Sequence, residues 1–332
     1  MPTQRSADGR TVETSRRALL AALGSAGATA SLSGCVGTMG SGSGTDGSEE
    51  GDGANAGGRG DGAGADDGRP VSVLAAGSLQ LAFSEGLRAA VDRPLRVEAH
   101  GSVTVARLVA EGRRDPDIVA LADAALFDRL LPSAWHAAFA TNALVVAYDD
   151  SEGGRRVGAA DRWFEPVLAG AATLGRTDPD LDPLGYRTLF ALDLADEYYD
   201  RPGLRDDLTD RRQIYPETSL LSRFETGDLD AAVVYRSMAE DRGYDYVDLP
   251  AAVDLSDPER AEAYAAASYD LPSGETVHGA PIEYGAVARR ADERVVDAFA
   301  TLVDGAYLGD HGFDVPETFP EYSGDVPRGY RP

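Results

Sequence analysis

From Val71 onward the sequence alternates short apolar runs with segments of helical spacing, and that alternation confines the chain to few architectures. Val71-Ser72-Val73-Leu74-Ala75-Ala76 reads as a buried strand that stops at Gly77-Ser78. Leu79 to Val91 then sets Leu79, Phe83, Leu87, Ala90 and Val91 on or near one helix face. A second strand, Leu95 to Ala99, stops at His100-Gly101-Ser102, and Val103 to Glu111 is again helical. Asp117 to Leu121 is a third strand, followed by a helix through Phe127 and Leu131, and Ala143 to Tyr148 is a further strand. This order predicts a mainly parallel sheet with helices on both faces.

The polar stretch from Asp149 to Arg156 marks an expected passage to a second lobe. That lobe opens with a helix at Trp163 to Leu168, continues with an amphipathic run from Tyr186 to Tyr199, and ends on a strand at Leu229 to Tyr235. An acidic helix from Asp254 to Ala267 follows, then a strand from Ile282 to Ala288 and a last helix from Glu293 to Leu308. The expected plan is an α/β protein of two lobes joined by a hinge. Lobe 1 takes residues 70–146 and 252–332, lobe 2 takes 147–251, and the cleft lies between them.

The 332-residue chain carries 31 Lys+Arg against 56 Asp+Glu, a formal charge of −25, and every basic side chain besides histidine is arginine. That balance excludes nucleic acid as a partner, because phosphate binding needs a basic face. It suits strong brine, where a Debye length of about 3 Å at 1 M salt screens self-repulsion. The single cysteine, Cys35, excludes an intramolecular disulfide framework. It closes Leu32-Ser33-Gly34-Cys35 after an apolar run from Ala18, itself preceded by Ser15-Arg16-Arg17. Residues 1–35 therefore resemble a twin-arginine lipoprotein signal with its lipid on Cys35. Residues 36–69, rich in Gly, Ser, Asp and Glu, cannot bury enough surface to offset chain entropy and read as an acidic tether. The implied location is the outer face of the cell membrane, by lipid anchor alone.

Gly77-Ser78 and Gly101-Ser102 each stand where a strand gives way to a helix. Such a turn leaves helix-end N–H groups unpaired, adds a hydroxyl donor, and admits close approach through glycine. It makes an oxyanion site without a basic side chain. Taken singly, either turn is an ordinary helix cap. Two at the carboxyl ends of neighbouring parallel strands point to a ligand.

These turns sit within Val73-Leu74-Ala75-Ala76-Gly77-Ser78-Leu79 and Gly101-Ser102-Val103. Together with Phe139-Ala140-Thr141-Asn142, Asp178-Pro179-Asp180-Leu181-Asp182-Pro183-Leu184-Gly185-Tyr186-Arg187 and Tyr235-Arg236-Ser237, they resemble the molybdate/tungstate-binding proteins of archaeal ABC importers. The resemblance runs from about Val71 to the C-terminus and implies the type II periplasmic-binding-protein fold. By motif it implies a ligand site of Gly77, Ser78, Ser102, Asp182, Pro183, Leu184, Glu217 and Tyr235. Serines and turn amides would hold oxo groups, Asp182 and Glu217 would be ligands of the metal centre, and Tyr235 would donate its phenol. Leu184 stands where many relatives carry cysteine, and Pro216 and Ser219 alter the surroundings of Glu217. Without the resemblance, Asp182 and Glu217 are simply two of 56 acidic residues.

Two carboxylates facing sulfate or phosphate would repel it in a partly desolvated cleft. Molybdenum(VI) and tungsten(VI) can expand from four to six oxygen ligands, and hard centres accept carboxylate. The implied function is capture of the oxyanion by lobe closure and delivery to a permease with its ATPase, by a monomer with no cofactor and no catalysis. The alternatives are another tetrahedral oxyanion such as sulfate or phosphate, an exported hydrolase using Asp182 and Glu217 as an acid/base pair, or an adhesion protein with no small ligand. His100, His136, His278 and His311 show no metal-ligand spacing, and Trp135 and Trp163 read as packing residues.

Overall fold

The computed structural model describes residues 68–209 and 213–331. The signal-like segment with Cys35, and nearly all of the 36–69 tether, lie outside the described residues. The strands, in chain order, are β1 (Val71–Ala76), β2 (Leu95–His100), β3 (Ile118–Leu121), β4 (Trp135–Asn142), β5 (Leu144–Tyr148), β6 (Leu174–Thr177) and β7 (Ile214–Tyr215). They continue with β8 (Ala231–Tyr235), β9 (Asp245–Asp248), β10 (Ser268–Asp270), β11 (Thr276–His278), β12 (Ile282–Ala288) and β13 (Glu321–Gly324). The helices that position the site are α1 (Ser102–Ala110), α2 (Pro183–Tyr198), α3 (Glu217–Glu225), α4 (Arg236–Arg242) and α5 (Glu293–Asp304).

Lobe 1 holds a six-stranded sheet in the order β13-β4-β12-β3-β1-β2, in which β1 pairs parallel with β2 and β3. Strand β12, from the last fifth of the chain, inserts antiparallel between β3 and β4. Lobe 2 holds five strands in the order β7-β6-β8-β5-β9, with β6 parallel to both β7 and β8. The strands at the middle of both sheets are almost wholly apolar and buried, as sheets covered on two faces require.

The chain leaves lobe 1 earlier than its polarity suggests. β5 pairs with β8 and β9, so the passage is Ala143 alone rather than the polar stretch from Asp149, and lobe 1 ends there rather than at 146. β4 and β5 meet across Thr141-Asn142-Ala143 with no glycine or proline to announce the break. The polar stretch marks only the end of β5, where Ser151 caps a helix over Glu152–Ala159 by accepting from the Gly154 amide at 2.9 Å. The return passage runs alongside: the Leu144 N–H donates to the Asp254 carbonyl, and that of Ile282 to the Leu255 carbonyl, each at 2.9 Å. Leu255 turns the chain at φ 60°, a left-handed conformation that a buried leucine adopts only where packing imposes it. β4 itself was not anticipated as a strand, and the acidic helix expected from Asp254 to Ala267 shrinks to two single turns, Pro258–Arg260 and Ala261–Tyr264.

At the amino ends of the lobe 1 strands, Asp117 ties three elements together. Its Oδ2 accepts from the Ser72 amide and hydroxyl at 2.9 and 2.8 Å, and Arg294 of α5 lies 3.4 Å away. Burial pushes this carboxyl up, but the Ser72 bonds and Arg294 outweigh it and hold it below its ordinary value. Asp117→Ala removes the Ser72 bonds and leaves the buried Arg294 guanidinium with Asp292 at 3.0 Å, and we expect a loss of about 3 kcal/mol in a urea melt. Because the folded carboxyl titrates below the unfolded one, the wild-type contribution is present above pH about 4 and fades as pH falls through that range. Melts at pH 7 and pH 3 should therefore differ more for the wild type than for the variant.

Candidate functional site

Three neighbouring parallel strands end side by side in each lobe, and the sequence-predicted residues leave five of those six ends. In lobe 1, Gly77-Ser78 follows β1, Ser102 opens α1 after β2, and Ala122 follows β3. In lobe 2, Asp182 follows β6 as the cap of α2, Glu217 is the first residue of α3 after β7, and Tyr235 ends β8. Carboxyl ends of parallel strands leave helix N-termini pointing at one place, which is where open α/β sheets bind ligands.

Asp182 and Glu217 are both buried, which the surface reading of acidic residues did not require. Asp182 Oδ1 accepts from the Thr177 hydroxyl at 2.7 Å and from the Gly185 amide at 2.9 Å, the ordinary work of a helix cap. Glu217 Oε2 accepts from the Gly77 amide of the opposite lobe at 3.1 Å. The second oxygen of each, Asp182 Oδ2 and Glu217 Oε1, is buried with no hydrogen-bond partner. Burial pushes the Asp182 carboxyl up to about 7 despite the Thr177 and Gly185 bonds. Burial and the nearby Asp182 push Glu217 well above the usual carboxylate range. Two buried, unpartnered acceptor atoms in one small region are costly and call for an occupant that supplies them a partner.

The hydroxyls are held from behind. Ser102 Oγ accepts from the Ala122 amide at 3.0 Å, and Ser78 Oγ accepts from the Tyr284 hydroxyl at 3.1 Å. Tyr235 Oη accepts from Arg187 Nη1 at 2.9 Å. Pro183 has no N–H to give, and the Leu184 and Gly185 amides both favour the Asp182 carboxylate, so the first turn of α2 serves its own cap. Thr177, Arg187, Tyr284 and Asn142 complete the site and were not singled out from the sequence. Asn142 donates to Ser237 Oγ at 2.7 Å and lies 3.4 Å from the Tyr284 hydroxyl. Arg187 and Asn142 stood inside quoted motifs, but nothing in their spacing told of their contacts.

The two glycines act by close approach. A Cβ on Gly77 would fall 2.6 Å from Glu217 Oε2, and one on Gly101 would fall 2.5 Å from the Leu181 carbonyl and 2.7 Å from the Asp182 Cβ. Each glycine of lobe 1 thus admits the close approach of lobe 2, Gly77 that of Glu217 and Gly101 that of Leu181 and Asp182. The Thr104 amide also donates to the Leu181 carbonyl across the cleft at 3.2 Å, so the lobes are closed on one another. A cavity of about 100 Å³ opens beside Gly77, Ser78 and Glu217, bounded by Thr218, Met238 and Arg242. Among the described residues no three histidine, cysteine or carboxylate side chains gather as a cation cage, so the carboxylates act as a pair.

Gly101→Ala should prop the lobes apart without unfolding either sheet, seen as a larger radius of gyration in solution scattering and an unchanged far-ultraviolet spectrum. The raised Asp182 carboxyl binds a proton in the folded state that the unfolded chain releases above about pH 4, so it lowers stability as pH rises through 4 to 7. Asp182→Asn should therefore raise the melting temperature of the free protein by a few degrees at pH 8, on the order of 2–4 °C, and by less at pH 5.

The model for bacterial extracellular solute-binding proteins matches residues 71–313. A Haloferax volcanii protein with the provisional name ABC transporter molybdenum-binding protein is 50% identical over 318 residues, covering 94% of this chain and 96% of its own. The molybdate/tungstate-binding protein WtpA of Pyrococcus abyssi is 30% identical over 251 residues, 64% of this chain and 73% of its own. Among solved structures, the periplasmic molybdate-binding protein of Azotobacter vinelandii aligns with a TM-score of 0.50 at 17% identity, covering 74% of this chain and 100% of its own. That likeness concerns the fold, two α/β lobes about a hinge. With a family model spanning most of the chain and a relative matching along nearly its full length, the chain belongs to the extracellular solute-binding proteins.

Proposed function

We propose that this chain is the solute-binding component of an ABC importer that captures molybdate or tungstate by lobe closure. The observation that carries the reading is the pair of buried carboxylate oxygens, Asp182 Oδ2 and Glu217 Oε1, without a partner. Hydroxyls of Ser78, Ser102 and Tyr235 would hold oxo groups, while the two carboxylate oxygens complete six ligands about the metal centre. Leu184 and Pro183 would line the site without donating. Sulfate gives those oxygens no centre to coordinate, since its sulfur does not expand its coordination, and in their ionised form they repel it. The printed names of the Haloferax volcanii and Pyrococcus abyssi relatives support the same cargo. Closure would bring the lobe 1 turns onto a ligand already seated on lobe 2, and the closed form would dock on a permease coupled to an ATPase. The ligand undergoes no chemistry.

The remaining parts of the reading rest on sequence. Export through the twin-arginine signal, a lipid on Cys35, a 36–69 tether and monomeric function at the outer face of the membrane fit a protein that must reach a permease while staying anchored. Among the described residues no helix is long and apolar enough to cross a membrane. The charge of −25 without lysine fits a working environment of high salt.

Hydrogenphosphate is the competitor to include, because its proton could be donated to an unpartnered carboxylate oxygen. Calorimetric titration of the protein in high salt should show saturable binding of tungstate and molybdate and none of sulfate. Glu217→Gln and Asp182→Asn should each weaken tungstate at least about tenfold. Equal binding of sulfate or phosphate, with both variants unchanged, would overturn the assignment of ligand and site.

A further inference from the structure

Arg187 is a buried cation at the cleft, 4% exposed, and the metal-centred account of the site gives it no task. It lies on α2, five residues after Asp182. Its Nη1 donates to Tyr235 Oη at 2.9 Å within lobe 2 and to the Ala122 carbonyl of lobe 1. The amide of the same Ala122 donates to Ser102 Oγ. Asp123 lies 3.8 Å from Nη2, beyond hydrogen-bond distance, and takes the Tyr186 hydroxyl instead. The short bonds of this guanidinium therefore go to two neutral oxygens, one on each lobe, while Asp123 faces it as a longer ion-pair partner.

The direction of the Tyr235 bond is forced. A guanidinium has donors and no acceptor, so the phenol oxygen accepts and its own proton goes elsewhere. Burial keeps the phenol neutral, and among the described residues no group accepts that proton. Ser102 is arranged the same way, accepting from the Ala122 amide and keeping its proton for the cleft, whereas the Ser78 hydroxyl also faces the Glu217 carboxyl.

We propose that Arg187 is a positioning residue that makes Tyr235 an obligate donor to the bound oxyanion and ties this donor to lobe closure through the Ala122 carbonyl behind Ser102. The inference deepens the oxyanion reading and rests on it. Arg187 does not touch the ligand; it acts through the proton that Tyr235 is left to give. In an open protein the bond to Ala122 is lost, so Nη1 makes both of its bonds only when the lobes meet.

The test is a double-mutant cycle read by calorimetric titration with tungstate in high salt. Tyr235→Phe should weaken binding about tenfold in the wild-type background and less than twofold when Arg187 is already replaced, in Arg187→Met. Arg187→Lys, which keeps one donor for Tyr235, should restore part of that cost. Should Arg187→Met fail to fold by circular dichroism, Arg187→Leu, which likewise has no donor, runs the same cycle. If Tyr235→Phe costs the same in both backgrounds, or nothing in the wild type, the proposal falls while the oxyanion reading stands. A wild-type protein that does not bind tungstate removes the oxyanion reading and the proposal with it.

Discussion

The rest of the cleft is arranged around two carboxylates held where water cannot reach them. A buried carboxylate is tolerated only with donors aimed at it, and the chain supplies them from unrelated places. Thr177 and the first turn of α2 serve Asp182, and the Gly77 amide serves Glu217 from the far lobe. The count stops one short for each group, leaving Asp182 Oδ2 and Glu217 Oε1 without a partner. Instability is concentrated at the point where a ligand would relieve it. That is how a binding protein can favour closure with cargo over closure without it.

Both lobes solve their half of the problem in the same way. Each presents the carboxyl ends of three adjacent parallel strands and draws on every end, through side chains at five of them and the Ala122 main chain at the sixth. Lobe 1 contributes neutral donors and small residues; lobe 2 contributes the acidic groups, the phenol and the guanidinium. The division has a steric side as well, because Gly77 and Gly101 are the places where lobe 2 presses closest. Hydroxyls braced from behind by Ala122, Tyr284 and Arg187 need no reorganisation when a ligand arrives, which lowers the ordering cost of binding.

Much of this was readable from residue patterns. The β1, β2, β3, β8 and β12 strands and the α1, α2 and α5 helices follow from apolar periodicity, and the Gly-Ser turns follow from their place between a strand and a helix. What periodicity could not show was the passage at Ala143, because only Thr141-Asn142 interrupt the apolar residues of β4 and β5 and the break between sheets is a change of partner. Asp182 and Glu217 were reached through motif resemblance, since no local pattern separates a buried acidic residue from the many exposed ones. Arg187 escaped for a related reason. Its partners, Ala122 and Tyr235, lie 65 and 48 residues away, and only the closed fold brings them together.

The insertion of β12 between β3 and β4 has a consequence for how the chain is made. Lobe 2 is one continuous stretch and can complete its sheet as soon as β9 is synthesised. Lobe 1 must wait with a gap at its centre until residues 282–288 emerge, leaving β3 and β4 as bare edges meanwhile. Unpaired edges of apolar strands invite wrong partners. Nascent chains released before Ala288 should thus be the aggregation-prone species, whereas loss of the last few residues, which lie beyond every strand of the sheet, leaves that central gap filled.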